Sequence, residues 1–111
     1  INDLSGIQTT AHLTRYNSTH GRFKSQVLVD GKYLVVDGHP IEITADRNPA
    51  LLPWEALDVD LVFECTGRFT QREAAMQHVI AGAKKVLISA PGVDVDATIV
   101  YGVNHQILKN I

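Results

Sequence analysis

The chain has 111 residues, 45% of them hydrophobic and 20% charged, and its ten basic and twelve acidic side chains give a formal net charge of −2. This composition is that of one ordinary globular domain, and the chain is too short for a second one. No apolar run approaches the roughly 18 residues of a membrane span, the first residues lack the order of a signal peptide, and the small net charge does not favour nucleic acid, so we expect neither a membrane nor a nucleic-acid partner.

The first half of the chain is predicted to hold a short helix and three strands. Ile1–Asp3 looks like the end of a strand, and hydroxyl groups that can cap a helix predict one over Thr9–Tyr16. From Ser25 to Thr44 apolar residues alternate with polar ones around two Asp-Gly pairs, which predicts an antiparallel meander of three strands. The alternation is carried by Val27, Val29, Tyr33, Val35, Ile41 and Ile43.

The second half is predicted to form a strand, a helix and a parallel strand. After a proline-rich loop, the apolar run Val59–Cys65 suits a strand covered on both faces. A capping box, Thr70 to Glu73, predicts a helix that begins at Thr70 and ends near Gly82. Its apolar positions are Ala75, Met76, Val79, Ile80 and Ala83. The strands Val86–Ala90 and Thr98–Val103 follow, and the strand, helix and strand have the length of a parallel crossover unit.

Several residues lie where open α/β folds bind ligands, at the carboxyl ends of strands. Asp3 could bind the ribose hydroxyls of a dinucleotide, or it could cap the next turn. The strand exits Cys65-Thr66-Gly67 and Ser89-Ala90-Pro91-Gly92 are expected to lie side by side, because they end neighbouring strands. Phe69 could stack on an adenine or act as a hydrophobic staple against Ala74. Arg47 could mark the adenine side or be an ordinary exposed arginine.

The remaining reactive side chains are interpreted as structural. Cys65 is expected to be a buried strand-end thiol, not a nucleophile. It is the single cysteine, so no internal disulfide can form, which fits a reducing compartment and makes the cytoplasm the expected location. Asp94 and Asp96 are expected to be solvated loop charges. No metal is expected, because the histidines lack ligand spacing. They are His12, His20, His39, His78 and His105.

Eight motifs in consistent order carry a resemblance. They are Ile1-Asn2-Asp3-Leu4, Ala11-His12-Leu13, Ser18-Thr19-His20-Gly21, Leu52-Pro53-Trp54, Cys65-Thr66-Gly67-Arg68-Phe69-Thr70, Ala81-Gly82-Ala83-Lys84-Lys85-Val86, Ile88-Ser89-Ala90-Pro91 and Val100-Tyr101-Gly102-Val103-Asn104. Nearly from end to end, the chain resembles phosphorylating glyceraldehyde-3-phosphate dehydrogenases of the bacterial type. An ordered set of motifs is far more specific than any one of them.

The resemblance implies NAD as cofactor. It implies Asp3 on the adenosine ribose, Arg47 beside the adenine through its main chain, and Thr66, Gly67 and Phe69 along the adenosine and pyrophosphate. Ser89 and Ala90 would lie toward the nicotinamide. Leu4 directly after Asp3 resembles the NAD-preferring form of the family, and the carboxylate would repel the 2′-phosphate of NADP.

The resemblance also implies which parts of the family pattern residues 1–111 do not carry. The opening strand with its Gly-rich loop would precede Ile1, and the catalytic cysteine segment would follow Ile111. We therefore expect a partial NAD-binding domain without catalytic residues. Its fold would be α/β, an incomplete Rossmann-like doubly wound parallel sheet with an inserted antiparallel β-meander. Without the central first strand, the chain alone would be marginally stable, inactive and weak in NAD binding.

The activity implied for the parent protein is oxidation of glyceraldehyde 3-phosphate with inorganic phosphate to 1,3-bisphosphoglycerate. Its substrate would be this phosphorylated aldehyde, and the family implies a homotetramer. Two alternatives stay open. One is an erythrose-4-phosphate dehydrogenase, whose cofactor domain is similar, and the other is a nucleotide-binding module without chemistry.

Overall fold

The computed structural model describes residues 1–17, 20–99, 103–104 and 106. The fold is of the α/β class, and the chain divides into two units, Ile1–Asn48 and Pro49–Ile111. Of the predicted last strand, Thr98, Ile99 and Val103 are described and do not lie in a strand, whereas residues 100–102 lie outside the described residues, as do Ser18 and Thr19 of the third family motif. Neither helix of the described part is long and apolar enough to cross a membrane.

The first unit begins with helix α1, Ile7–Arg15, two residues before the predicted start. The expected hydroxyl cap is wrong, because Gly6 is the N-cap residue and no side chain caps the helix. The Thr10 hydroxyl lies within the helix and donates to the Gly6 carbonyl at 3.1 Å. Two short strands follow that the sequence did not predict, β1 (Tyr16–Asn17) and β2 (Gly21–Arg22), which pair antiparallel.

The predicted meander is present as three antiparallel strands in consecutive order. They are β3 (Val27–Asp30), β4 (Tyr33–Val36) and β5 (His39–Glu42). In the second turn Asp37 and Gly38 have positive φ angles of 51° and 82°, as the Asp-Gly signal predicted.

The alternation assigned the wrong residues of β4 to the core. Leu34, not Tyr33, is buried, with 1% of its surface exposed, and it packs with Ala11 and Val27. The reason is the register, in which Leu34 lies opposite Val29. Cross-strand partners share a face of the sheet. After each two-residue turn the buried positions therefore change from odd to even residue numbers, or back again.

The second unit contains the predicted parallel crossover. A 3-10 helix (Pro49–Leu51) leads to strand β6 (Leu61–Glu64), helix α2 (Arg72–Ile80) and strand β7 (Lys85–Ile88). Strands β6 and β7 pair in parallel. The core of the unit is a cluster of Leu52, Trp54, Val62, Ala81 and Ala83.

Strand β6 is covered on one face only, so the expectation of burial on both faces is wrong. Its side chains alternate, with Val62 and Glu64 buried while Leu61 and Phe63 are 43% and 64% exposed. On the described residues, the outer face of this two-stranded sheet therefore exposes Leu61, Phe63 and Leu87 together with Lys85.

Helix α2 differs from its prediction at its start and on its buried face. Its N-cap residue is Gln71, and no side chain caps it, so the capping box is wrong. Met76 and Ile80 are 41% and 66% exposed, whereas His78 is only 4% exposed. The predicted end is confirmed, because the helix stops at Ile80 and Gly82 follows with a φ angle of 119°.

Candidate functional site

The two predicted strand exits of the second unit lie side by side. Strands β6 and β7 are parallel and end together, with Glu64 opposite Ile88. One residue later the Ser89 amide donates to the Glu64 carbonyl at 3.0 Å. Segments 65–67 and 89–92 therefore leave the sheet at the same edge, as the sequence predicted, and this is the edge at which open α/β folds bind ligands.

A second contact, at the start of helix α2, joins the residues that follow these two segments. Val93 bridges in parallel to Gln71, with its amide donating to the Thr70 carbonyl at 2.9 Å and its carbonyl accepting from the Arg72 amide at 3.1 Å. The backbone of Val93 thus serves an amide of the first helical turn. This partner, distant in sequence, takes the place of the predicted capping box.

Asp94 and Asp96 are exposed, with 87% and 66% of their side-chain surface accessible, as expected for loop charges. They are nevertheless paired, because the Arg72 guanidinium binds the Asp96 carboxylate and donates to the Asp94 carbonyl at 2.5 Å. This arginine ties the segment after β7 to helix α2. Dissolved salt screens such exposed ion pairs, so we expect them to contribute little to the stability of the fold.

The loop between β6 and α2 carries three predicted cofactor residues. Thr66 and Gly67 are exposed and Phe69 is half-buried. Gly67 has a φ angle of 76°, and no atom lies within 4 Å of the position a β-carbon would take, so the backbone is open to a close approach. The staple interpretation of Phe69 is wrong, because with Gln71 as N-cap the staple position is Thr70.

The other strand exit carries Ser89, which is exposed, and Ala90, which is half-buried. Both are small, and they stand across the sheet edge from Thr66. The expectation that Cys65 is buried is wrong, because its side chain is exposed. Within the described residues no three histidine, cysteine or acidic side chains gather as a metal site would require.

Asp3 of the first unit holds a local turn. Its Oδ1 atom accepts from the Ser5 amide at 2.8 Å and from the Ser5 hydroxyl at 2.5 Å. These bonds lower the pKa of Asp3 below its ordinary value, and the small effect of burial does not reverse them. Asp3 therefore caps its turn and is ionised at neutral pH, as a ligand for ribose hydroxyls must be.

Asn2 brings the neighbourhoods of Asp3 and Arg47 together. It bridges in parallel to Thr44, and its side-chain amide both accepts from the Asp46 amide at 2.9 Å and donates to the Asp46 carbonyl at 3.0 Å. Asp3 and Arg47 each follow one member of this bonded pair, so they leave the same edge of the first unit. Arg47 is exposed.

The predicted cofactor residues thus form two groups, one in each unit. Asp3 and Arg47 belong to the first group. The second group comprises Thr66, Gly67, Phe69, Ser89 and Ala90. That the two groups share one nucleotide stays a prediction.

The sequence reasoning missed a buried polar pair directly beneath the second group. The His78 Nε2 and Glu64 Oε2 atoms are 2.5 Å apart, and the side chains are 6% and 3% exposed. Burial by itself would raise the pKa of Glu64, but hydrogen bonds from Thr66 and His78 outweigh it and lower the pKa below its ordinary value.

Periodicity gave a signal for this pair. Glu64 lies two residues after Val62 on the buried face of a strand, and His78 lies three residues from Ala75 and from Ala81 on a helix.

Comparisons with known proteins agree with the motifs. A family model described as the NAD binding domain of glyceraldehyde 3-phosphate dehydrogenase matches residues 1–72. The chain is 60% identical over 110 residues to the chromosomal glyceraldehyde-3-phosphate dehydrogenase of Cupriavidus necator, which covers 98% of this chain and 33% of that protein.

Two further relatives give a similar result. The glyceraldehyde-3-phosphate dehydrogenase of Pseudomonas aeruginosa is 56% identical over 109 residues, covering 98% of this chain and 33% of the relative. That of Geobacillus stearothermophilus is 53% identical over 106 residues, covering 96% and 32%. The chain spans about a third of the length of the curated relatives it matches.

Proposed function

The chain belongs to the family of the NAD-binding domain of glyceraldehyde 3-phosphate dehydrogenase, and we propose that it forms part of the cofactor site of an NAD-dependent dehydrogenase that oxidises glyceraldehyde 3-phosphate. One structural observation carries this proposal. Two parallel strands end together, and the loops that leave them carry small residues and open backbone at the edge where a dinucleotide binds such a sheet.

The residues of both units fit NAD by their chemistry. In the first unit Asp3 is an ionised carboxylate that can accept hydrogen bonds from two ribose hydroxyls, and Arg47 would contribute its main chain beside the adenine. In the second unit Thr66, Gly67 and Phe69 would lie along the adenosine and pyrophosphate. Ser89 and Ala90 would contact the nicotinamide half of the cofactor from the adjoining strand exit.

NAD supplies the hydride acceptor, and this chain's own residues bind and orient it. In the proposed reaction the aldehyde of glyceraldehyde 3-phosphate is oxidised and inorganic phosphate is taken up, which gives 1,3-bisphosphoglycerate. The catalytic cysteine and its base are assigned to other segments of the parent protein. We further propose residues 1–111 as a partial NAD-binding domain of a Rossmann-like fold, in a cytoplasmic homotetramer.

Titration calorimetry with NAD tests the cofactor assignment in the natural gene product that carries this sequence. The Asp3→Asn variant should bind NAD about tenfold or more weakly, because a hydrogen bond to a charged group contributes about 1.5–3 kcal/mol. It should also lose part of its preference for NAD over NADP, since the repulsion of the 2′-phosphate is gone. Asp37→Asn is the matched control, because Asp37 is exposed in a turn of the same unit.

Either of two results would contradict the cofactor assignment. One is a wild-type protein that shows no saturable NAD binding, and the other is equal NAD affinity in the two variants. The substrate is tested separately by NAD reduction with glyceraldehyde 3-phosphate, with and without phosphate. Faster turnover of erythrose 4-phosphate would refute the assigned substrate while leaving NAD in place.

A further inference from the structure

A chain of hydrogen bonds, buried between Trp54, His78 and Glu64 and part-buried at Thr66, runs beneath the loop that we assign to the cofactor. The Trp54 indole Nε1 lies 3.1 Å from Nδ1 of His78, whose Nε2 lies 2.5 Å from Oε2 of Glu64. The other carboxylate oxygen of Glu64 accepts from the Thr66 amide at 3.0 Å and from the Thr66 hydroxyl at 2.5 Å. Four side chains from the proline-rich loop, α2, β6 and the loop after it are thereby linked.

The direction of every proton in this chain follows from the chemistry of its members. An indole N–H can only donate, so Nδ1 of His78 must be the acceptor and carries no proton. The imidazole proton then lies on Nε2 and is donated to Glu64. His78 is therefore a neutral imidazole, and the negative charge of Glu64 is stabilised by three donors, one from His78 and two from Thr66.

The last link of the chain fixes the shape of the loop above it. The amide and the hydroxyl of Thr66 both donate to Glu64, so these two bonds fix the direction of the Thr66 amide and side chain. Its hydroxyl oxygen in turn accepts from the Arg68 amide at 3.1 Å. The bonds of Thr66 therefore hold both sides of Gly67, the residue with the open backbone.

We propose that Glu64 is a positioning residue for the cofactor, acting through Thr66, and that His78 and Trp54 orient its carboxylate. The inference rests on the proposed function, since the loop it holds is the one assigned to the adenosine and pyrophosphate. A preorganised loop avoids the free-energy cost of ordering when its ligand binds. The affinity for NAD should therefore depend on Glu64 although its carboxylate does not touch NAD.

A carboxylate is required because an amide at this position cannot satisfy its neighbours. If the amide oxygen of a Glu64→Gln variant faced Thr66, its NH2 group would meet the Nε2 proton of His78. If that proton moved to Nδ1, it would face the indole N–H of Trp54, so that two donors would again meet. If the amide were turned round, the Thr66 backbone N–H would lose its acceptor. The first orientation leaves a buried donor without a partner, and the second leaves the part-buried Thr66 amide without its acceptor, although the side chain keeps its size.

Asp60→Asn is the matched control for Glu64→Gln. It makes the same change of carboxylate to amide immediately before the same strand, but Asp60 is 77% exposed and its partner Lys84 is 67% exposed. In the natural gene product, Glu64→Gln should raise the Michaelis constant for NAD about tenfold, the change that 1.4 kcal/mol produces. Its kcat should change less than about twofold, because chemistry in the bound complex is untouched. Asp60→Asn should match the wild type in both constants.

Two measurements by nuclear magnetic resonance need no cofactor. In the wild type, the ring nitrogens of His78 should report a neutral imidazole with its proton on Nε2. Amide hydrogen exchange at Thr66 should be about tenfold faster in Glu64→Gln than in Asp60→Asn, since protection of an amide falls with the stability of its hydrogen bond.

The outcomes separate the inference from the proposed function. A wild-type protein that does not bind NAD refutes the proposed function. Equal Thr66 exchange in the two variants, or an unchanged Michaelis constant in Glu64→Gln, overturns the positioning role of Glu64. If Glu64→Gln does not fold, the wild-type spectrum decides: a proton on Nδ1 of His78 would mean that the chain of hydrogen bonds does not run as we infer.

Discussion

Replacing Gly82 with alanine should destabilise the second unit by more than the conformational strain of a residue with a β-carbon at this φ angle. Gly82 follows helix α2 with a φ angle of 119°, and a β-carbon there would lie 2.5 Å from the Glu55 nitrogen and 2.6 Å from its α-carbon. These are backbone atoms, so no flexible side chain can move aside. The Glu55 amide also donates to the Ala81 carbonyl at 2.9 Å, and the displacement would weaken this bond.

The expected loss of stability has two parts. A residue with a β-carbon in a left-handed conformation costs about 1–2 kcal/mol. Forcing extra atoms into a packed contact costs about 1–3 kcal/mol more. We therefore expect Gly82→Ala to lower the free energy of unfolding by about 3 kcal/mol, with the backbone of Glu55 displaced from helix α2.

Gly67→Ala is the control that separates the two parts. Gly67 lies in the same unit with a φ angle of 76°, but nothing lies within 4 Å of the position its β-carbon would take. It should therefore lose only the conformational part, about 1–2 kcal/mol. Urea unfolding of the natural gene product, followed by the fluorescence of Trp54, measures both variants, because Trp54 belongs to the core cluster that includes Ala81. Equal losses in Gly82→Ala and Gly67→Ala would refute the steric reasoning.

Two further predictions concern the cores of the units. Leu34→Ala should lower the free energy of unfolding of the first unit by about 3 kcal/mol, within the usual 2–5 kcal/mol for a buried leucine. Leu28→Ala, at a site that is 48% exposed, should lower it by less than about 1 kcal/mol. Urea unfolding followed by circular dichroism compares the two variants, and equal losses would contradict the observed register. The pKa of Glu64 is below its ordinary value of 4.5, since bonds from Thr66 and His78 outweigh burial, so its stabilising effect is complete above that pH and is lost as pH falls through the folded-state pKa. The melting temperature should fall with pH below about 4.5 in the wild type more than in Glu64→Gln, and parallel curves would show that the carboxylate does not stabilise the fold.

The sequence pattern of neighbouring residues predicted the elements that depend on side-chain period and turn geometry. Alternating apolar residues and Asp37-Gly38 gave the meander, and the apolar runs around helix α2 gave the parallel crossover and its two adjoining exits. These depend on side-chain period and turn geometry, which a sequence contains. The choice of Tyr33 over Leu34 failed because the buried positions change parity at each turn, which depends on pairing.

The errors at helix α2 and the missed pair have a different origin. The start of the helix is served by the backbone of Val93, a partner distant in sequence, and no motif near Thr70 reveals it. Glu64 and His78 were overlooked because polar residues are usually exposed, and their burial is possible because they bind each other and are also bound by Thr66 and Trp54. For Asp3 and Arg47, the resemblance proposed a common site, and the bonds of Asn2 explain how a chain can bring them to one edge.

Those bonds also have a use in protein engineering. The side chain of Asn2 is hydrogen-bonded to the backbone of Asp46, and these bonds close a loop of chain that contains helix α1 and strands β1 to β5. The free energy of closing such a loop grows only with the logarithm of its length, by about 0.6 kcal/mol for each doubling. The exposed turn at Asp37 and Gly38 lies within this closed loop. A short peptide tag or spectroscopic label inserted there should leave the hydrogen bonds between Asn2 and Asp46 intact.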